Sequence, residues 1–381
     1  MLLRVMRNPF LIALCAGIAS AVLYLSFFTN LAFGVLLIQF APLPLFLAGL
    51  GLGLQPMLIA TGAAVGAITM LGLGTALPSQ VAVQLILFYL LGQAVMPLWL
   101  TRMALMSRSI MISNTGPDKD KDKAEASDGT ADNLRAKPQV AGVIQYYPIG
   151  QLVAWITGIA AVLLLLAAVF GENFAADQGG LRGIIGQQIG VAVSALGAAN
   201  TGAAGANVGD ELNRAMAIIE DKIPAILALS WIAGTLVNLW LAQTILVRLK
   251  YNRRPAPNYT QITLPETMLL GLLVALAIFL FPVNLFMSAD AVSPAIQSTD
   301  IRYIGMNLTM IMLFPYFLLG LAVIHVMSRP WPARKYILGA VYLALPIVGL
   351  AAAIFAVVGV VEQWVGLRER MPRNADNQEE E

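Results

Sequence analysis

Inside the long apolar windows of this chain no charged residue stands at mid-window, and the side chains there with the means to do chemistry include a set of amides. Gln39, Gln84, Asn238 and Asn307 stand inside long apolar windows, with Gln80, Gln93, Gln243 and Asn284 in similar settings. An amide in hydrocarbon needs a partner, whether another helix, a water or a ligand. Two readings follow. The amides are glue between helices, or Gln39, Gln84, Asn238 and Asn307 converge on a pocket for a small polar organic molecule. Other reagents are scarce. The sequence has no phosphate-binding Gly-Lys motif and no HExxH, and its single histidine, His325, lies four residues before Arg329. The single cysteine, Cys15, excludes a disulfide framework and a cysteine metal site. Ion-coupled carriers place ionisable relays at mid-membrane, yet Glu266, Asp300 and Glu362 fall at the ends of apolar runs. The expectation is a protein without catalytic chemistry, cofactor or metal.

These amides must be positioned by elements that live in lipid. Residues 8–101 carry no Asp, Glu, Lys or Arg, and charged residues make up 12% of the chain against 59% hydrophobic; a soluble surface needs about a quarter of its residues charged. Mean hydropathy is +0.77. Further uncharged windows cover 138–171, 183–209, 223–247, 267–289, 303–328 and 336–361. The Gly-rich 183–209 window is too polar to count as a span. About 20 apolar residues cross the hydrocarbon core as a helix, and unpaired backbone in lipid leaves helices as the solution for runs without strand alternation. The fold class is therefore all-α, a polytopic membrane bundle of about nine transmembrane helices, with eight or ten as alternatives. The predicted spans are 9–29, 32–54, 57–77, 81–101, 148–170, 223–247, 265–287, 304–327 and 336–361. The apolar start continues directly into further spans, so it is read as a helix and not as a cleaved signal.

Lysine and arginine mark the cytoplasmic side of such bundles. With the amino terminus (Arg4, Arg7) placed there, alternation puts the loops holding Arg102 to Lys137, Arg248 to Arg254, and Arg329 to Lys335 on the same side. Arg182, Arg214, Lys222 and Arg302 fall opposite. Nine crossings place the tail arginines Arg368, Arg370 and Arg373 on the wrong side; either the last helix does not fully cross, or the acidic residues and late position of the tail make the violation tolerable. The charge run at 113–139 cannot bury enough apolar surface to order itself, so it reads as a disordered cytoplasmic insert within a linker. The organisation is 1–102, a four-helix part; 103–147, the linker; 148–362, a five-helix part; and 363–381, a polar tail. A net charge of +2 gives no reason to expect a nucleic-acid partner.

Three finer patterns remain. Pro42 and Pro44 interrupt the second span, Pro315 the eighth and Pro346 the ninth, and each removes a backbone donor. Small residues recur four apart at Ala13, Gly17 and Ala21, and at Gly62 and Gly66, which lets helices approach closely; this is read as packing within the monomer or as a face for a partner. The outer connection 171–222 ends in an amphipathic stretch with Leu212, Met216, Ile219 and Ile223 at helical spacing, and 181–199 offers a second. Together they suggest a helical segment on the outer face, a passive cover or a lid.

The stretches Phe40 to Pro44 with the following 47–53 run, 223–248 and 307–326 resemble the YybS-like family of uncharacterised bacterial membrane proteins, in its proteobacterial branch. That family is distantly similar to the substrate-binding S components of energy-coupling-factor transporters. The resemblance implies a bacterial cytoplasmic membrane location. It also implies a docking surface for a membrane-protein partner at Ala13, Gly17 and Ala21, and an outer segment acting as a lid. About nine spans depart from the six of S components. The reading is a solute-binding or transport-related component; the alternative is an assembly factor of the cell envelope acting through helix contacts.

Overall fold

The computed structural model describes residues 8–28, 31–74, 78–112, 141–174, 181–187, 190–191, 219–281, 298–347 and 349–370. It is nearly all helix. In chain order the helices are α1 (Pro9–Leu25, with a 3-10 turn to Phe28), α2 (Leu31–Ile38), α3 (Pro42–Leu52), α4 (Leu54–Gly74), α5 (Ser79–Leu105), α6 (Ile149–Phe174), α7 (Ile223–Leu249), α8 (Glu266–Leu280), α9 (Ser298–Met327), α10 (Arg334–Ile347) and α11 (Gly349–Val365). Among the described residues, six are long and apolar enough to cross a membrane; Leu36–Leu52, Glu266–Leu280 and Ala351–Val365 are shorter apolar helices. Val22, Phe88, Leu163, Leu227 and Leu270 project outward and exposed, the inverse of a water-soluble surface and what a lipid-facing bundle requires.

The predicted 32–54 span is two helices. Tight turns from Leu37 to Leu43 replace the helical ladder, because Pro42 supplies no N–H and starts α3 at its first position. Gly53, at φ +106°, then turns α3 into α4 through a conformation that side chains other than glycine's strain to adopt. Pro315, by contrast, sits within a continuous α9. The linker is not wholly irregular either: β1 (Ser107–Ile112) pairs antiparallel with β2 (Ala141–Tyr146), Ser107 opposite Tyr146. The predicted disordered insert lies outside the described residues.

The two halves are not separate bodies. Phe46, Leu50, Met96 and Leu100 from the first share one buried cluster with Ile156, Ile232, Leu246 and Leu308 from the second. Within the first half, Ala13, Gly17 and Ala21 turn inward and pack α1 on α4; a Cβ at Gly17 would strike the Ala60 carbonyl.

The charged loops gather at one end of the bundle. There Arg253 Nε donates to Gly51 O (3.2 Å), and Arg254, buried, donates to Ala104 O (3.3 Å) and Tyr147 O (2.9 Å). These bonds place the ends of α3, α5 and α7 and the start of α6 together, as the alternation of basic loops requires.

The predicted 336–361 span is also two helices, α10 and α11, and its geometry accounts for the misplaced tail. Gly320 of α9 and Gly359 of α11 meet so closely that a Cβ on either would enter the other helix's backbone. Nine residues beyond each glycine stand Arg329 and Arg368, and both reach Thr260: Arg329 Nη2 to Thr260 Oγ1 at 3.1 Å, Arg368 Nη1 to Thr260 O at 2.7 Å. The two helices thus run parallel and finish at the same end. At 1.5 Å per residue, α10 rises about 21 Å and α11 about 25 Å, each short of a hydrocarbon core of about 30 Å. They form a re-entrant hairpin that enters and leaves at the basic end, so Arg368 and Arg370 join the other basic loops. Glu362, buried, closes the return by an ion pair with Arg368 (2.6 Å).

Candidate functional site

The candidate site lies at mid-depth, where two irregular helices face α7. Breaking the helix between α2 and α3 frees carbonyls that lipid cannot satisfy. Asn238 Nδ2 donates to Gln39 O (2.6 Å) and to Gly234 O of its own helix (2.7 Å). Ser20 Oγ donates to Ala41 O (2.6 Å) and lies 2.8 Å from Tyr89 Oη. The Gln39 side chain lies across α7: Nε2 donates to Ser230 Oγ at 3.1 Å, and Oε1 stands 2.8 Å from where a Cβ on Gly234 would be. Gly234 is what lets that amide rest on the helix.

The second irregularity is a π turn in α5 at Leu90–Ala94. Such turns loosen the i→i−4 ladder and cluster at functional sites. Trp231 Nε1 donates to the carbonyl of Gly92 at 2.9 Å. One face of α7, carrying Ser230, Trp231, Gly234 and Asn238, therefore reads both defects. Asn238 is buried at 1% exposure, and its Oδ1 has no hydrogen-bond partner among the described residues. A buried amide oxygen left unpaired costs about 1–3 kcal/mol, which a ligand N–H or O–H would recover.

Of the four amides singled out from sequence, Gln39 and Asn238 meet here. Asn307 does not. It sits fully buried on α9 and secures the start of α7, accepting from Ala225 N (2.9 Å) and donating to Asp221 O (2.8 Å) and Tyr303 O (2.9 Å). Ala225 is 13 residues from Asn238 along α7, about 20 Å at helical rise, so the two amides serve different ends. Gln84 lies exposed on α5. Sequence reasoning passed over Ser20, Tyr89, Trp231 and Gly234; the signal available was that a predicted helix break needs donors on its neighbours.

Asn307 belongs to a polar cluster at the end opposite the basic loops. Arg182 pairs with Asp221 (2.8 Å) and lies 5.9 Å above the Tyr303 ring. Residues 181–187 are helical, and Leu181 packs against Gly171 at the end of α6. The first turn or two of the expected outer segment thus covers the bundle end; the amphipathic stretch at 211–218 lies outside the described residues. The Ala13, Gly17 and Ala21 face is occupied by α4, whereas Gly62 and Gly66 of α4 point into open space.

At the basic end, Arg254 works as a clamp with Tyr146, whose ring it overlies at 5.6 Å. Burial lowers the Arg254 pKa, and the neighbouring Tyr259 and Tyr146 oppose that shift. Burial raises the Tyr259 phenol, opposed by Arg254. His325 contacts Leu321 O through Nδ1 (2.9 Å) and Tyr342 Oη through Nε2 (3.3 Å), a packing role in the C-terminal hairpin. Among the described residues, no group of His, Cys, Asp and Glu could hold a metal ion.

No curated protein and no solved structure matches the chain. Residues 147–362, more than half of the sequence and all of α6 to α10, match the model of a family described as a predicted membrane protein, DUF2232, and the chain belongs to that family.

Proposed function

We propose that this protein is a solute-binding or transport-related membrane component, with its site at the junction of Gln39, Ser230 and Asn238. One observation carries the reading: the unpaired, buried Oδ1 of Asn238 beside a broken helix at mid-depth. Discontinuous helices with convergent polar groups at that depth are how many transporters hold substrates. The ligand class is a small, polar, uncharged organic molecule with a donor for Asn238 Oδ1, since no charged side chain is part of the junction. The Lys and Arg bias supports placing the basic end in the bacterial cytoplasm, with the 181–187 segment outside as part of a cover over the solute's entry.

A thermal-shift screen of vitamins and nucleosides on the detergent-solubilised full chain tests this. At least one solute is expected to stabilise the native protein, and Asn238→Leu or Gln39→Leu is expected to abolish that shift. A flat response across both classes would remove the basis of the reading.

The second reading, an envelope assembly factor, is favoured by the outward Gly62 and Gly66 stripe of α4, which would admit a partner helix closely. The likeness to S components would then require a partner to dock there, since α4 already fills the Ala13, Gly17 and Ala21 face.

A further inference from the structure

At the basic end, α4 and α5 diverge and leave a slot of about 330 Å³ between them, lined by Leu54, Leu58, Val95, Leu98, Trp99 and Arg102. It is a largely open groove with an apolar lining, and ligand sites of that character rely on a few placed polar groups. Here the polar group is a single guanidinium at one end. Val95 to Arg102 spans about 10 Å of helix, so the slot runs from the charged boundary into the apolar zone.

The two halves of the slot differ in chemistry. The inner part, Leu58, Val95 and Leu98, offers hydrocarbon alone and no backbone donors, because α4 and α5 are hydrogen-bonded internally along it. The outer part is cationic. Arg102 is exposed and has no ion-pair or hydrogen-bond partner among the described residues. Arg253 brings a second guanidinium to the same end of the bundle, with Nη1 2.8 Å from the position of a Cβ on Gly53, one residue before the slot begins at Leu54. The first N–H groups of α4 face the same boundary. Trp99 stands between the two halves, held edge-on by Trp155 at 5.7 Å, at the depth where indoles prefer the headgroup region.

We infer that this slot is a binding site for an anionic phospholipid, with one acyl chain along Leu58, Val95 and Leu98 and the headgroup phosphate on Arg102, assisted by Arg253. Charge complementarity selects this occupant. A transmembrane partner helix would bury Arg102 without a counter-charge, and a zwitterionic lipid would bring its own cation to a boundary that already carries two guanidiniums. Charge-assisted contacts to phosphate are the stronger class of hydrogen bond, and arginine is suited to them. The site is separate from the Asn238 junction and does not depend on it.

The test uses the full chain, purified in mild detergent and read by native mass spectrometry against phosphatidylglycerol and phosphatidylcholine with identical acyl chains. Phosphatidylglycerol is expected to be retained several-fold better. Arg102→Gln should reduce its retention about tenfold, the loss expected for a charged hydrogen bond of about 1.4 kcal/mol, and erase the preference. Leu58→Trp, a lipid-facing change that fills the slot, should reduce both lipids alike, and Arg182→Gln at the far end should change neither. Inorganic phosphate at millimolar concentration should fail to displace the lipid. Equal retention of the two lipids, unchanged retention in both Arg102→Gln and Leu58→Trp, displacement by free phosphate, or a dimer in place of a lipid adduct would each overturn the assignment. Monodisperse elution of each variant separates loss of the site from loss of the fold.

Discussion

An amide in a membrane bundle acts according to what its two ends hold. Asn307 uses its oxygen and both of its nitrogen's protons on backbone groups of two different elements. Replacing it by leucine leaves the Ala225 N–H and two carbonyls without partners in a buried place, a cost of about 1–3 kcal/mol for each group that finds no substitute. Gln84, exposed on α5, carries no such duty, and Gln84→Leu should stay within about 0.5 kcal/mol of the native protein. Thermal unfolding followed by tryptophan fluorescence in detergent compares the two. Asn307→Leu is expected to melt well below native and Gln84→Leu to coincide with it. Matching curves for all three would mean that Asn307 is not the pin that joins α9 to α7.

At the scale of elements, the same small-residue spacing has opposite consequences on different helices. Gly320 and Gly359 sit where α9 and α11 touch backbone to backbone, while Gly66 faces open space. Gly359→Leu should force the hairpin off α9, with an overpacking cost of about 1–3 kcal/mol or more, and Gly66→Leu should be tolerated. Proteolysis of the C-terminal region in detergent distinguishes them: faster cleavage near α11 is expected for Gly359→Leu, and native resistance for Gly66→Leu. Sequence spacing could not sort these glycines, because it records that helices can approach and not which ones do. The elements themselves were largely legible, since a run free of charge long enough to cross lipid has few alternatives to helix. What escaped was how prolines act in context. The break at Pro42 is sustained because Asn238 and Ser20 donate to the carbonyls of Gln39 and Ala41 beside it, whereas Pro315 sits in a continuous helix. The candidate site was legible to the extent that Gln39 and Asn238 are polar and lipid-embedded. Its other members, Ser20, Trp231 and Gly234, were hidden because they are ordinary membrane residues until a defect on a neighbouring helix needs them.

For the whole molecule the decisive feature is where α11 ends relative to the charges. Reading 336–361 as one crossing leaves Arg368 and Arg370 opposite the other basic loops, against the electrostatic bias that orients membrane helices. The break between α10 and α11 removes the conflict without any new contact being invoked. The hairpin enters beside Arg334, reverses between α10 and α11, and returns along α9 to the Glu362–Arg368 pair and the carbonyls of Thr260 and Ile262. The two bonds to Thr260 O and Ile262 O require residue 368 to share an end with the α7–α8 loop. Single cysteines in a Cys15→Ala background, labelled on intact cells and again on permeabilised cells with a membrane-impermeant maleimide, report the side of each position. Glu369→Cys should behave like Tyr251→Cys on the α7–α8 loop and unlike Gln187→Cys at the opposite end. This pattern is independent of which end faces the cytoplasm, so it isolates the path of the chain from its orientation. If Glu369→Cys instead follows Gln187→Cys, α10 and α11 together form a true crossing, and the parallel arrangement of α9 and α11 is wrong.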